Sequence, residues 1–274
     1  MITRTIRNRC IVFGIALVLS AELFAQTEAD RLPWEGAWQW LHEAQDGRLG
    51  LTAEHFCAVF GLKNRMHLSD GGSAEADAAQ LYRSMAGPMC GSVSFVQTAA
   101  GRWAVKTTVE VAAYPQNVGE SDVRPTTVDG DLMVGEWLNA DGSVRNTWRY
   151  RRLSDLGGES QLAGVWRTET GEKVGLLILT DTQYRYVWTD DARPAVTARP
   201  RDMTDAEAAR LFAAFDAQGG EYSVDGNTLT LSPEVARDPD EIGQARPVTF
   251  NLTGDSLVLM APSLPRTWTR MEAF

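Results

Sequence analysis

The sequence predicts an all-β protein made of two tandem small antiparallel barrels, with one short helix in each unit. Three observations support this prediction. The chain repeats itself at an offset of 128 residues, each copy carries strand patterns at hairpin spacing, and each copy carries one capped helical segment. A run of hairpins favours a sheet that closes on itself, because closure removes exposed strand edges.

The repeat opens with a Gly-x-Trp element. GAWQW at Gly36 lies over GVWRT at Gly164, and at the same offset LTAEHFCAVFG lies over LTDTQYRYVWT. Both copies then keep the same order of segments up to a closing Thr-Trp strand. We therefore expect unit 1 to span residues 32–153 and unit 2 residues 161–272, joined by a polar linker at 154–160.

Alternation with period 2 defines the strands. In YRYVW it places Tyr184, Tyr186 and Trp188 on one face, and the matching strand of unit 1 places Phe56 and Phe60 on one face. We expect these faces to point into the barrels. Asp-Gly pairs, as in EYSVDGNTLTLS, mark tight hairpin turns because type I′ turns need positive φ.

One helix is expected between the strands of each unit. In unit 2, TDAEAARLFAAFDAQGG begins with a capping box formed by Thr204 and Glu207 and is expected to end at Gly219 and Gly220. The counterpart in unit 1 is SAEADAAQLYRSMAGP.

The first 25 residues have the order of a secretory signal peptide. Three arginines precede an apolar run from Cys10 to Leu19, and small residues follow up to Ala25. The run is about half the length that a spanning helix needs, so we expect cleavage, a periplasmic or secreted protein, and no stable membrane anchor. The net charge of −10 disfavours nucleic acid as a partner.

Taken together, the Gly-x-Trp opening, the strand pair VGLLILTDTQYRYVW, the short helix and a final Trp near an Arg resemble the bacterial lipocalin-like domain family of the calycin type. The resemblance covers both units and implies small antiparallel barrels. It also implies that Trp38 and Trp166 close the barrel floors. An arginine of the last strand would pack across each tryptophan, Arg149 or Arg151 in unit 1 and Arg270 in unit 2.

Motifs that carry chemistry are absent from the sequence. There is no H-E-x-x-H, G-x-S-x-G, P-loop or C-x-x-C, and the three histidines His42, His55 and His67 all lie in unit 1. We expect a structural or exposed role for His55. No metal site and no cofactor are predicted, and no catalytic residue can be named.

The candidate ligand-binding residues are therefore aromatic. Phe56, Phe60, Tyr184, Tyr186 and Trp188 either fill the barrels as core or line a ligand site. The tyrosines favour a ligand, because a hydroxyl in a dry interior needs a partner.

Two polar positions match across the repeat, Glu110 and Glu234. We expect them among the ligand-binding residues, where inward carboxyl groups would also be candidate acids or bases; the alternative is a pair with Arg124 and Arg246. The loop DDARPAVTARPRD is either a lid that meets a ligand carboxylate or a solvated loop; its arginines are Arg193, Arg199 and Arg201.

Cys57 and Cys90 allow one disulfide in an oxidising compartment. Inward Phe56 and Phe60 place Cys57 on the outer face of its strand, and Cys90 follows the helix that must pack outside the barrel. We expect a disulfide that staples unit 1 only.

The leading functional prediction is an exported protein that binds a small, mostly apolar molecule in a barrel without covalent chemistry. One alternative is an isomerase or cyclase acting on an apolar substrate, with a carboxylic acid assisting. The other alternative is a structural or interaction protein with solid barrels. A void in a barrel separates the first two from the third.

Overall fold

The computed structural model describes residues 32–65, 73–170, 172–261 and 263–274. Within these ranges, strands form two closed antiparallel barrels of eight strands each, which confirms the predicted fold class. The predicted signal peptide and His67 lie outside the described residues. Residues from Trp34 to Phe274 form one compact unit that holds both barrels.

The first barrel is closed by pairing of its first and last strands, β1 with β8. Helix α1 lies between β3 and β4. The elements are β1 Gly36–Trp40, β2 Gln45–Leu51, β3 His55–Leu62, α1 Ala74–Ser84, β4 Met89–Gln97, β5 Trp103–Ala112, β6 Ser121–Asp129, β7 Leu132–Leu138 and β8 Val144–Ser154.

The second barrel repeats this order, with helix α2 between its third and fourth strands and β9 paired with β16. The elements are β9 Gly164–Thr170, β10 Lys173–Leu179, β11 Gln183–Asp190, α2 Asp205–Ala213, β12 Phe215–Asp225, β13 Thr228–Ala236, β14 Arg246–Thr253, β15 Ser256–Met260 and β16 Thr267–Ala273. Short 3-10 turns at Pro115–Asn117, Pro200–Asp202 and Pro239–Glu241 complete the two units.

Helix α2 is shorter than its sequence predicts. The capping box of Thr204 and Glu207 is present, but the helix ends at Ala213, and Gly219 and Gly220 lie inside β12. The expectation that these glycines end the helix is therefore wrong. A Cβ on Gly220 would lie 2.1 Å from the carbonyl oxygen of Ser232, so glycine is needed here for close approach of two strands.

The Gly-x-Trp glycine is explained by the closure of each barrel. Gly36 has φ +132° and Gly164 has φ +148°, where L side chains are strained. An added Cβ would lie 2.7 Å from the Ser154 carbonyl oxygen in the first barrel and 2.4 Å from that of Glu272 in the second. Glycine thus lets the first strand approach the last one.

The Gly-x-Trp tryptophans are fully buried in both barrels, and each indole N–H donates to a backbone carbonyl four residues earlier. Arg270 stacks on Trp166 at 4.4 Å, as the resemblance implies. In the first barrel the arginine over Trp38 is Arg152, at 4.2 Å, so the expectation of Arg149 or Arg151 is wrong. The register shift between Ala37 and Trp38 changes which residue of β8 faces the ring.

Between the barrels lies an apolar cluster that also includes inner faces of both helices. Residues of β3, α1 and β4 contribute from the first unit and residues of β10, β11 and α2 from the second. Cys57 and Cys90 lie in this cluster and form a disulfide bond between neighbouring strands. The outer face of β3 is therefore buried by the second barrel.

Candidate ligand-binding site

The interior of the first barrel contains a cavity of about 140 Å³ that is partly open to solvent. All eight strands contribute to its walls, and six of the lining side chains are aromatic: Trp40, Phe56, Phe60, Trp137, Trp148 and Tyr150. The remaining lining residues are Leu49, Leu51, Ala58, Ala86, Met89, Val105, Thr107 and Arg124. Phe56 and Phe60 thus lie where the alternation predicted.

The second barrel is filled by its own side chains. The residual void inside it is about 10 Å³, which is too small for any ligand. Tyr184, Tyr186 and Trp188 point into the buried cluster of this barrel, so they are inward, as predicted, but they do not line a ligand site. The prediction that they bind a ligand is corrected on this point.

The tyrosine hydroxyls of the second barrel find partners within the protein. Tyr184 donates to Oε1 of Gln218 at 2.9 Å, and Tyr186 donates to Oδ2 of Asp216 at 2.9 Å. Burial raises the pKa of both tyrosines well above the usual range. The need for a hydroxyl partner in a dry interior is therefore met without a ligand.

One position in the repeat accounts for much of this difference. Phe56 pairs with Gly91 in the first barrel, and Tyr184 pairs with Gly220 in the second. Phe56 and Tyr184 therefore occupy equivalent positions in the two barrels. Two residues further along, Ala58 occupies the place of Tyr186. A methyl group instead of a phenol ring leaves the centre of the first barrel open.

The residues opposite this position follow the same pattern. Ala58 pairs with Met89, whereas Tyr186 pairs with Gln218. Because the first barrel has no phenol at this point, it does not need the polar partner that the second barrel provides. The void in the first barrel is therefore bounded by apolar atoms at its centre.

The polar side of the cavity is the side at which Arg124 lines the wall. Arg124 is the charged residue among the described lining residues, and its Nε donates to Oδ2 of Asp122 at 2.7 Å. Its guanidinium lies 5.5 Å from the centre of the Trp137 ring. Trp148 is 7% exposed, and its indole Nε1 has no acceptor among the described residues.

Tyr150 completes this side of the cavity. Burial raises the pKa of its hydroxyl, and the positive charge of Arg124 acts in the opposite direction. The phenol is therefore neutral at physiological pH and remains both a donor and an acceptor. The lining of the cavity therefore combines the guanidinium of Arg124 and the hydroxyls of Tyr150 and Thr107 with aromatic and aliphatic side chains.

Glu110 and Glu234 do not point into the barrels, and the expected partners Arg124 and Arg246 are wrong. Glu110 pairs with Arg167 of the second barrel at 2.7 Å, and Glu234 pairs with Arg48 of the first barrel at 2.9 Å. Each glutamate is the extra residue of a β-bulge, which turns its side chain outward to the neighbouring barrel. Neither glutamate is therefore a ligand-binding residue of a barrel interior.

The arginine loop is held between the barrels rather than over the cavity. Arg193 donates to the carbonyl oxygen of Ala112, and burial lowers its pKa. Arg83 of α1 donates to the carbonyls of Pro200 and Met203 at 3.1 and 2.8 Å, which fixes the far side of the loop. The idea of a lid that meets a ligand carboxylate is corrected accordingly.

The described histidines are held by local or interface contacts. Nδ1 of His55 lies 3.1 Å from Oε2 of Glu272, and Nδ1 of His42 accepts from the backbone of Ala44. In the described part of the chain no three His, Cys, Asp or Glu side chains converge in a way that could hold a metal ion. No helix there is long and apolar enough to cross a membrane.

Comparisons with known proteins give little beyond this geometry. No family model matches the chain, and no curated protein matches it. A solved structure of the uncharacterized protein YLR301w from Saccharomyces cerevisiae aligns over 87% of this chain and 98% of that chain, with 10% identity and a TM-score of 0.47. The functional argument therefore rests on the first barrel itself.

Sequence reasoning missed most of the cavity wall. Trp148 and Tyr150 alternate on β8, as Trp38 and Trp40 do on β1. This period-2 pattern could have identified an inward face on both strands. Arg124 was considered only as a partner for a glutamate. The most informative signal was the exchange of Tyr186 for Ala58 between the two copies.

Proposed function

We propose that this protein is exported and binds a small, mostly apolar molecule inside its first barrel, as a member of the lipocalin-like proteins. The observation that carries the proposal is the cavity of about 140 Å³ in the first barrel, beside a void of about 10 Å³ in the second. Small natural barrels either fill with side chains or enclose one small ligand, and this chain contains one hollow barrel and one filled barrel.

The lipocalin-like relationship is supported by two features of each barrel. Both are eight-stranded and antiparallel, and in both a buried Gly-x-Trp tryptophan is stacked by an arginine near the end of the barrel. Export is supported by the sequence of the first 25 residues. It is also supported by the disulfide between Cys57 and Cys90, because such bonds persist in oxidising compartments.

The second barrel acts in this proposal as a scaffold. It covers the outer face of β3, the strand that carries Phe56, Ala58 and Phe60 into the cavity. The isomerase or cyclase alternative required a carboxylic acid inside a barrel. It is not supported, because Glu110 and Glu234 lie in ion pairs outside the cavity.

The test is to fill the cavity. We expect the purified protein to bind toluene at one site, measured by calorimetry and by tryptophan fluorescence, since Trp40, Trp137 and Trp148 line the cavity. The variant Ala58→Phe restores a ring where the second barrel has Tyr186, so toluene affinity should fall at least tenfold. Leu62→Phe, an exposed position on the same strand, is the matched control and should bind as the wild type does.

Two outcomes would overturn the proposal: toluene that fails to bind the folded wild-type protein, or binding that Ala58→Phe leaves unchanged. Circular dichroism and thermal unfolding of each variant separate loss of binding from loss of fold. Native mass spectrometry of protein from its own source then reveals whether a small molecule copurifies.

A further inference from the structure

We propose that the ligand of the first barrel is a compact, single-ring aromatic molecule with one carboxylate, and that Arg124 binds that carboxylate. This inference rests on the proposed function and adds the chemical class of the ligand. It is drawn from the size of the cavity, the character of its walls and the hydrogen-bonding groups at its polar side.

The volume limits the ligand to about one ring. A dry cavity of about 150 Å³ in another protein holds benzene, and the cavity here has about 140 Å³. A long acyl chain or a fused polycyclic molecule does not fit into that space. A single ring can fill the apolar part while its substituent reaches the polar side.

The walls favour an aromatic ring over an aliphatic one. Trp40 meets Phe60 edge-to-face with centroids 4.7 Å apart, and Trp148 meets Tyr150 in the same way at 5.1 Å. Aromatic pairs in such tilted arrangements gain about 0.5 to 1.5 kcal/mol beyond the burial of their area. A ligand ring among these four would extend the same packing.

The polar side selects an acceptor. The hydrogen bond from Nε of Arg124 to Asp122 leaves both Nη nitrogens without an acceptor among the described residues. A guanidinium is a donor only, so the group that binds it must accept hydrogen bonds, and the cation favours an anion.

Asp122 occupies one side of the guanidinium only. Its carboxylate accepts from Nε of Arg124 at 2.7 Å, and the side chains of Arg124 and Asp122 are 28% and 45% exposed. Asp122 therefore orients the guanidinium and leaves the Nη side for a ligand.

The second barrel provides an internal control for the assignment. Arg124 pairs with Val105, and the equivalent pair is Val248 with Leu229. The solid barrel has an apolar residue where the hollow barrel has Arg124. Its inward arginine on the equivalent strand, Arg246, lies two residues away and is paired with Glu241 at 3.5 Å.

The experiment compares three probes of similar size: benzoate, benzamide and toluene. We expect the wild-type protein to bind benzoate at least tenfold more tightly than benzamide or toluene. Arg124→Met should weaken benzoate at least tenfold and change toluene less than twofold. Arg149→Met, which removes an exposed arginine on β8 outside the cavity, is the matched control and should change neither affinity.

A second measurement does not depend on a folded variant. Raising the salt concentration should weaken benzoate binding to the wild-type protein and leave toluene binding unchanged, because only the former involves a charge pair. If toluene binds but benzoate binds no better, or Arg124→Met leaves benzoate unaffected, the carboxylate inference fails and the proposed function stands. If none of the probes binds the folded protein, both fail.

Discussion

One exchanged side chain accounts for much of the difference between the hollow barrel and the solid one. Tyr186 fills the second barrel and donates to Asp216, a carboxyl that is 3% exposed. At the equivalent place the first barrel has Ala58, which leaves room for a ligand. The difference in void volume between the two barrels therefore follows in large part from this exchange, in an interior where even a methylene group affects packing.

Asp216 makes stability depend on pH. Burial raises the pKa of its carboxyl, partly offset by Arg237. A raised pKa means that the contribution to stability is fully present below the usual value of 3.8 and is lost as the pH rises through the folded-state value. Asp216→Asn should therefore become more stable relative to the wild type between pH 4 and pH 7. Each unit by which a pKa is raised corresponds to about 1.4 kcal/mol.

Urea unfolding at several pH values measures this change. Asp141→Asn is the control, and its effect on stability should change with pH in the opposite direction. Hydrogen bonds from Ser143 lower the pKa of this exposed carboxyl. Its variant should become less stable relative to the wild type as the pH rises. A pH-independent difference for Asp216→Asn would contradict the assigned role.

The β-bulges at Glu110 and Glu234 determine which face of the sheet the neighbouring side chains occupy. On β5, Thr107 lines the cavity while Val111, four residues later, lies in the cluster between the barrels. On β13 the same switch occurs between Leu231 and Val235. An uninterrupted strand keeps residues four apart on one face, so the bulge at Glu110 or Glu234 produces the change.

The glycine opposite each bulge is expected to be essential. A Cβ on Gly91 would lie 2.1 Å from the carbonyl oxygen of Thr108, which requires the strand pair to separate. Gly91→Ala should therefore lower the free energy of unfolding by about 2 to 3 kcal/mol, measured by urea denaturation. Gly158→Ala is the control, since its nearest atom would be 3.4 Å away, and it should leave stability within about 0.5 kcal/mol.

At the scale of the whole molecule, charged groups join the two barrels. Arg185 of β11 is fully buried, donates to the carbonyl oxygen of Leu49, and has its pKa lowered to about 9 by burial and by the charge of Arg48. Nε and Nη2 of Arg185 have no acceptor among the described residues. Glu234, paired with Arg48, is the carboxylate that offsets these two cations.

The two cross-barrel ion pairs should therefore differ in strength. Glu234→Gln leaves Arg48 and Arg185 buried with less compensating charge and should lower the free energy of unfolding by about 2 kcal/mol. Glu110→Gln should lower it by less than about 1 kcal/mol, because Arg167 retains Glu169 at 2.5 Å. Denaturant unfolding at low and high salt measures both; equal losses would contradict the role given to Arg185.

The barrels, their repetition and the inward aromatic faces could be predicted from the amino-acid sequence, since they follow from local alternation, turn residues and one repeated order of segments. Each of these features depends on neighbours along the chain or on comparison of the two copies. The closing role of Trp38 and Trp166 was implied by the resemblance to the lipocalin-like family.

Which barrel is hollow, and which partners the polar residues have, became evident from the packing of the folded chain. Glu110, Glu234 and Arg185 interact across the contact between barrels, and no spacing in the sequence specifies that contact. The cavity depends on how side chains from all eight strands fill a shared volume, as with Ala58 and Arg124. Pairing across an interface and the filling of space are properties of the packed chain, so the cavity could not be predicted from the sequence.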